Sequence, residues 1–202
     1  MNKVCILDYG FGNIASLHNA LTHIGYKTDF YSENKNKKYD IVFIPGVGSF
    51  HHASKILEKD EIKNFIHKIN KKSVIFGICL GMQVMFTTGN ENGKSNGLNF
   101  VTGNVNKLSQ NLILPIIGWK KTIFTKKISS LIKYNNTKFY YVHSYAVENL
   151  NNDLILSKTS YEEIEYISSF QHENYFGTQF HPEKSGENGL CFLKDVIKFY
   201  NI

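Results

Sequence analysis

The sequence contains no arginine, and all 23 basic residues among its 202 are lysines. Bidentate recognition of bases and phosphates in nucleic acids depends heavily on arginine. The lysines are also scattered along the chain rather than grouped in one stripe. The formal charge of +6 therefore indicates a solvated surface rather than a nucleic-acid interface.

Cysteine is scarce, and the three residues Cys5, Cys79 and Cys191 lie far apart in the sequence. An odd number of distant cysteines suits neither a disulfide framework nor a zinc site of the Cys-x-x-Cys kind. No apolar run is long enough to cross a bilayer, and the run at residues 4–7 is too short for the apolar region of a signal peptide. We therefore expect a soluble, cytoplasmic protein.

Proline is also rare, with three residues, and no Pro- or Ser-rich linker or internal repeat divides the chain. Hydrophobic residues make up 42% of the sequence, which suffices for one well-packed core at this length. We predict a single domain over residues 1–202.

Short apolar runs alternate with segments of helical periodicity in the first half. Ile14, Leu17 and Leu21 share one helical face, with Asn13 as the N-cap. The predicted strands cover residues 4–7, 27–31, 41–44 and 74–76, followed after residue 97 by 104–108, 139–142, 154–156, 164–170 and 175–180. This order predicts an α/β fold in which a mainly parallel central sheet has helices on both faces and joins an antiparallel β section.

The sharpest local motif is Gly-Ile-Cys-Leu-Gly-Met-Gln at residues 77–83. A nucleophile two residues from a glycine on each side, between a strand and a helix, is typical of a strained elbow that presents a reactive side chain. Side chains at Gly77 and Gly81 would collide with the turn, and a helix N-terminus favours the thiolate of Cys79. The N–H of Leu80 would then point to a developing oxyanion. Cys5 and Cys191 lack this context, and we expect both in the core.

A catalytic thiolate needs a base, and His181 has the most informative surroundings of the eight histidines. Pro182 stiffens its loop, and Glu183 is near enough to hydrogen-bond the imidazole, which supplies the base and orienter of a catalytic triad. His51 and His52 are adjacent, so they face apart and form no metal site with a third ligand. We expect neither a metal nor another cofactor.

Together, residues 77–83 and the His-Pro-Glu-Lys-Ser-Gly motif at 181–186 resemble the class I, triad-type glutamine amidotransferases. Further segments are similar to the glutaminase subunits of imidazole glycerol phosphate synthase, and the resemblance runs from end to end. These segments are Leu-Asp-Tyr-Gly-Phe-Gly-Asn at 7–13, Ile-Pro-Gly-Val-Gly-Ser-Phe at 44–50, Gly-Trp at 118–119 and Tyr-Tyr-Val-His-Ser-Tyr at 140–145.

The resemblance implies that Cys79 attacks the side-chain carbonyl of glutamine, with His181 as base and Glu183 as its orienter. It also implies roles for further residues in oxyanion stabilisation, substrate binding and partner contact. The oxyanion set is Gly46, Val47, Gly48 and Leu80; the substrate set is Gln83, Glu91, His143, Ser144 and Tyr145; the interface set is Asn13, Trp119 and Lys184. The implied partner is a (βα)8-barrel cyclase that receives the ammonia through a protected channel.

The sequence departs from the family pattern near the expected docking surface. Ile-Ile-Gly-Trp-Lys at residues 116–120 replaces the usual His-Met-Gly-Trp-Asn, which leaves the triad intact but bears on the identity of the partner. A similar glutaminase that supplies ammonia for amidino groups on surface sugars is therefore an alternative. Trp119 itself, the single tryptophan, is either a core residue or an interface anchor.

Three other functions remain as alternatives. Gly10, Gly12 and Ala15 after the first strand, with Glu33 near the second, fit a loose dinucleotide-binding pattern. A stand-alone γ-glutamyl hydrolase would share the elbow and the histidine–glutamate pair. A non-catalytic binding module would leave the intact triad unexplained.

Overall fold

The computed structural model describes residues 3–31, 37–69, 73–109, 111–125 and 128–202. The α-helices are α1 (Ile14–His23), α2 (Phe50–Leu57), α3 (Asp60–Ile69), α4 (Leu80–Gln83) and α5 (Gly186–Phe199). The strands are β1 (Val4–Ile6), β2 (Thr28–Phe30), β3 (Ile41–Ile44), β4 (Val74–Ile78), β5 (Phe86–Gly89), β6 (Ser95–Asn96), β7 (Val101–Lys107), β8 (Ile116–Phe124), β9 (Thr137–His143), β10 (Tyr145–Glu148), β11 (Ile155–Tyr161), β12 (Ile164–His172) and β13 (Tyr175–Thr178).

A nine-stranded sheet in the order β2-β1-β3-β4-β13-β12-β11-β8-β9 forms the centre of the fold. Neighbouring strands are parallel among β2, β1, β3, β4 and β13. The remaining strands β12, β11, β8 and β9 pair antiparallel with their neighbours. The prediction of a mainly parallel sheet joined to an antiparallel section is confirmed, although the antiparallel part is larger than expected.

The parallel strands are buried on both faces, so alternate residues contribute to two hydrophobic clusters. Val4 and Ile6 of β1 belong to the cluster that also contains apolar residues of α1 and α5. Cys5 and Leu7 belong to the cluster that contains those of α2 and α3. Helices therefore cover both faces, as predicted from the alternation of apolar runs.

A four-stranded sheet in the order β10-β7-β5-β6 packs on the same side as α2 and α3. Phe86 at the start of β5 lies with its ring centroid 4.9 Å from that of Phe170 on β12. Val105 and Val147 extend this contact as part of the same cluster. The small sheet thereby covers the antiparallel strands where no helix does so.

Several local predictions can be compared with the structure directly. Asn13 caps α1, because its Oδ1 accepts the backbone N–H of Ser16 at 3.1 Å. Cys5 is buried as expected, but the core prediction for Cys191 is wrong, because this residue lies on the exposed side of α5. No helix within the described ranges combines the length and the apolar composition that crossing a bilayer requires.

Candidate active site

Cys79 lies on a sharp turn between β4 and α4, with φ 53° and ψ −112°. Few non-glycine residues adopt positive φ, and a conformation of this kind costs about 1–3 kcal/mol unless the surroundings enforce it. The predicted elbow is therefore present as a strained backbone conformation at the cysteine. α4 is a single turn, so its dipole contributes less at Cys79 than that of a long helix would.

The glycines of the elbow are required by the close approach of backbone segments. A Cβ at Gly81 would lie 1.7 Å from the carbonyl oxygen of Ile44, and one at Gly77 would lie 2.6 Å from that of Gly81. Gly46, in the loop after β3, packs so closely that its Cβ would lie 2.7 Å from the Gly81 nitrogen. The segment of β3 and its following loop is thus in direct backbone contact with the elbow.

The Cys79 side chain is almost fully enclosed, with 5% of its surface exposed. Its S–H donates to the backbone carbonyl of Val142 at 3.8 Å, and the side-chain amide of Gln179 donates to Sγ at 3.6 Å. The backbone N–H of Cys79 donates to the backbone carbonyl of Thr178 at 2.7 Å, which fixes the elbow to the end of β13.

His181 follows β13 and lies with Glu183 beside Cys79. Nδ1 of His181 pairs with Oε1 of Glu183 at 2.8 Å, with side-chain exposures of 1% and 4%. Ser185 braces the loop, since its hydroxyl donates to the His181 carbonyl at 2.6 Å and accepts the Tyr140 N–H at 2.9 Å. The imidazole is therefore oriented with Nδ1 toward the carboxylate and Nε2 away from it.

The electrostatic surroundings favour a protonated His181. Burial by itself lowers the pKa of this imidazole, but the neighbouring Cys79 sulfur and the Glu183 carboxylate outweigh burial and raise the pKa. Nε2 of His181 and Oε2 of Glu183 are buried without a hydrogen-bond partner. Buried polar atoms without partners are rare and mark places where a ligand or a reaction completes the bonding.

A pocket of about 410 Å³ opens over Cys79 and Leu80. All five residues of the predicted substrate set line it, together with Val47, Gly48 and Lys184. Gly46 is absent from the lining and lies behind the loop against Leu80. Leu80 is the first residue of α4, so its N–H has no acceptor within the helix.

The substrate set already has internal partners. Nε2 of Gln83 donates to the Tyr145 carbonyl at 2.8 Å, and Glu91 accepts the Phe50 N–H at the start of α2 at 2.6 Å. His143 Nδ1 donates to the same Tyr145 carbonyl at 2.9 Å, which leaves the buried Nε2 without a partner. Burial lowers the pKa of His143 to about 4, so this imidazole is neutral.

The three predicted interface residues have different environments. Trp119 is 50% exposed on β8, so its interpretation as a core residue is wrong. Its ring meets that of Tyr140 edge to face, with centroids 6.3 Å apart, and Tyr140 lines the pocket. Lys184 lines the pocket as well, whereas Asn13 is occupied with capping α1.

Two residues near Cys79 were missed by sequence reasoning. Gln179 is fully buried and contacts the sulfur, and the hydroxyl of Tyr9 is buried without a partner beside Gly46. Gln179 stands two residues before His181, but this spacing does not indicate that its side chain points toward Cys79. These contacts depend on elements distant in sequence.

Other candidate sites receive less support. Gly12 packs against Pro45, where a Cβ would lie 3.2 Å from the proline side chain, and Glu33 lies outside the described residues. His51 pairs with the Ser95 hydroxyl at 2.7 Å. Across the parts of the chain that the structure describes, no group of three or more His, Cys, Asp or Glu side chains is placed to hold a metal ion.

Comparison with known proteins agrees with this geometry. The profile described as glutamine amidotransferase class-I matches residues 5–198. The imidazole glycerol phosphate synthase subunit HisH of Saccharolobus solfataricus is 38% identical over 197 residues, covering 96% of both chains. The protein of the same name from Caldanaerobacter subterraneus is 40% identical over 196 residues, covering 94% of this chain and 95% of the relative.

Solved structures resemble this fold at much lower identity. A chain in the structure of PurLQS from Thermotoga maritima is 16% identical, covers 98% of this chain and 98% of its own length, and superposes with a TM-score of 0.72. At that identity the likeness concerns the fold alone.

Proposed function

Because the chain belongs to the class-I glutamine amidotransferase family, we propose that it hydrolyses glutamine to glutamate and ammonia with a triad of Cys79, His181 and Glu183. One observation supports the proposal. The thiol of Cys79 lines a pocket of about 410 Å³ from a strained elbow, and behind it lies the imidazole of His181, paired with a carboxylate and close enough to the sulfur for the sulfur to raise its pKa.

The proposed reaction begins from a thiolate–imidazolium pair, in which the Cys79 proton has passed to Nε2 of His181. The thiolate attacks the side-chain carbonyl carbon of glutamine, and the imidazolium then protonates the departing nitrogen, which leaves as ammonia. A water molecule gives a proton to His181 and attacks the thioester, which releases glutamate and restores the thiol. Glu183 keeps Nδ1 protonated and stabilises the imidazolium through both steps.

The negative oxygen that develops during each attack requires hydrogen-bond donors. The N–H of Leu80 is available because no residue of α4 can accept it, and Val47 and Gly48 line the pocket from the opposite loop. We assign the oxyanion site to these groups. Gly46 supports them through its backbone contact with the elbow.

The substrate amino acid is bound in this proposal by groups with complementary charge. Glu91 lines the pocket as a carboxylate and attracts the α-ammonium of glutamine. Both hydrogens of the Gln83 amide point to protein acceptors, so Gln83 offers its Oε1 to the substrate as an acceptor. His143, Ser144 and Tyr145 complete the wall of the pocket.

The relatives named imidazole glycerol phosphate synthase subunit HisH support a specific pathway for this chain. We assign it as the glutamine amidotransferase subunit of that enzyme, in histidine biosynthesis. In this assignment it is a single cytoplasmic domain without a metal or other cofactor. The assignment replaces the dinucleotide-binding interpretation.

The partner in this proposal is a (βα)8-barrel cyclase that docks beside the pocket. Ile117 and Trp119 expose 57% and 50% of their surfaces on one side of β8. Their register partners on β9 are Val142 and Tyr140, which line the pocket. The exposed apolar side chains are thus continuous with the lining of the pocket. A protein that covers them would keep the released ammonia away from water. In water ammonia is protonated and loses its nucleophilicity.

The triad is tested by glutamine turnover in the reconstituted complex with a cyclase. We expect Cys79→Ser and His181→Ala to abolish glutamate release while the far-UV circular dichroism spectrum is unchanged. Cys191→Ser is the matched control, because this thiol is exposed on α5, and it is expected to retain full activity. Normal turnover by either triad variant would overturn the proposal.

The same complex distinguishes the alternative partners and the stand-alone hydrolase. Activity that appears only with the cyclase and its ligand supports the histidine pathway. Strong turnover by the isolated chain would support a γ-glutamyl hydrolase instead. Recovery of a sugar-modifying partner in a pull-down, with no affinity for the cyclase, would support amidino-sugar biosynthesis.

A further inference from the structure

We propose that Gln179 is a positioning residue for the nucleophile, which stabilises the thiolate form of Cys79 by donating a side-chain N–H to the sulfur. The inference rests on the proposed function for its catalytic meaning, because a reactive thiolate serves the attack on glutamine. The residue is fully buried directly after β13, and its Nε2 lies 3.6 Å from Sγ.

The direction of the Gln179 amide is fixed by a chain of hydrogen bonds that starts at a backbone carbonyl. The Tyr145 carbonyl can only accept, so the atom of Gln83 that lies 2.8 Å from it is the Nε2 donor. The same Nε2 lies 3.0 Å from the nearest Gln179 oxygen, which must accept its second hydrogen. The remaining end of the Gln179 amide is therefore the NH₂ group, and it faces Cys79.

The two hydrogen-bond partners of the Cys79 sulfur favour opposite protonation states. The Val142 carbonyl at 3.8 Å can only accept, so it pairs with the neutral thiol. The Gln179 N–H donates, and hydrogen bonds to a charged acceptor are the stronger kind, so it stabilises the thiolate more than the thiol. Removing the Gln179 donor leaves the Val142 contact, which favours the protonated form.

Other charged and titratable groups around Cys79 come from several elements and must stay constant in a test. They are Tyr9 from the loop after β1, Glu91 from the turn between β5 and β6, His143 from β9, and His181, Glu183 and Lys184 after β13. Substituting Gln179 leaves all of these side chains in place.

The test measures alkylation of Cys79 by iodoacetamide as a function of pH, because the thiolate is the reacting form. Peptide mass spectrometry separates Cys79 from Cys191, whose exposed thiol is an internal standard in the same molecule. Gln179→Glu keeps the acceptor for Gln83 but replaces the donor with a carboxylate oxygen. Gln171→Glu is the matched control, since Gln171 donates to the Glu173 carbonyl on an exposed turn.

We expect Gln179→Glu to slow alkylation of Cys79 at neutral pH by about tenfold and to move the pH midpoint upward, while Cys191 reacts unchanged. Gln179→Met removes the donor without adding charge. We expect it to slow alkylation of Cys79 by about threefold and to raise the pH midpoint by less than Gln179→Glu does. Gln171→Glu is expected to match the wild type.

An unchanged pH midpoint in both Gln179 variants would overturn the inference, even with a lower rate, because the loss would then reflect access to the pocket. If Gln179→Glu fails to fold, Gln179→Met decides the question alone. The assay needs neither glutamine nor a cyclase. If the wild-type complex with the cyclase releases no glutamate while the Gln179 variants show the alkylation shift, the proposed function is overturned and this inference stays intact.

Discussion

Replacing His143 with glutamine removes a buried imidazole from the wall of the pocket. In the folded protein its Nδ1 donates to the Tyr145 carbonyl at 2.9 Å, and its Nε2 has no partner. Burial lowers the pKa of His143 from the ordinary 6.5 to about 4, the Tyr145 bond opposes this shift, and the charge of His181 adds to it. Protonation of this side chain therefore favours the unfolded chain.

The sign and size of the effect follow from the two pKa values. Because the folded-state pKa is the lower one, the contribution to stability is complete above pH 6.5 and is lost as the pH falls toward about 4. A shift of about 2.5 units corresponds to about 3 kcal/mol once the loss is complete. About 2 kcal/mol of this is already lost at about pH 5.

Urea unfolding at about pH 7.5 and about pH 5 measures the effect as a difference between proteins. We expect the wild type to lose about 2 kcal/mol more than His143→Gln between the two pH values. His67→Gln is the matched control, because His67 is exposed on α3, and it is expected to follow the wild type. Equal losses in the wild type and in His143→Gln would refute the argument that His143 is buried and neutral.

Three further substitutions test other parts of the structure. Glu183→Gln keeps a hydrogen-bond acceptor for His181 but removes the charge, so the pKa of His181 is expected to fall and glutamate release by the complex to decrease by about a hundredfold; full activity would exclude the orienting role. Tyr141→Phe removes a buried hydroxyl that bonds two threonine hydroxyls at 2.7 and 2.8 Å. We expect it to lower the free energy of unfolding by about 1–2 kcal/mol in urea titrations, and an unchanged value would contradict the network. Gly81→Ala places a Cβ 1.7 Å from the Ile44 oxygen and is expected to cost at least about 3 kcal/mol or prevent folding. A soluble variant with the wild-type Tm would contradict the close approach.

The parallel half of the sheet could be predicted because its strands are buried on both faces and therefore form continuous apolar runs, as at Ile41–Ile44. β8 escaped prediction for the opposite reason. Ile117, Trp119 and Ile123 on its exposed side are as apolar as the residues on its buried side, so the expected alternation of polar and apolar residues is missing. β5, which Phe86 opens, also lies outside every predicted strand.

The elbow was predictable because its glycines are required by contacts largely within one short segment. The orientation of the Gln179 amide was not, since it depends on Gln83 from α4 and on a carbonyl from β10, which only the folded chain brings together. The neutral state of His143 likewise follows from its burial in the folded chain, which outweighs the opposing effect of the Tyr145 carbonyl on its pKa. Sequence motifs predict Cys79, His181 and Glu183 as a candidate triad, whereas the contacts of Gln179 and His143 depend on the tertiary structure.

The direct backbone contact between the elbow and the loop after β3 has a mechanical consequence. With no side chain at Gly46 or Gly81 to deform, this part of the loop cannot move toward Cys79 without a backbone clash. Gly48 is different, because its φ is +112° and a Cβ added there would meet only the Phe11 ring, at 3.5 Å, so no backbone segment blocks rotation of the adjacent peptide. The close contacts thereby restrict any movement of the loop to its outer end, so that the peptide groups facing the pocket could turn without changing the shape of the turn that carries Cys79.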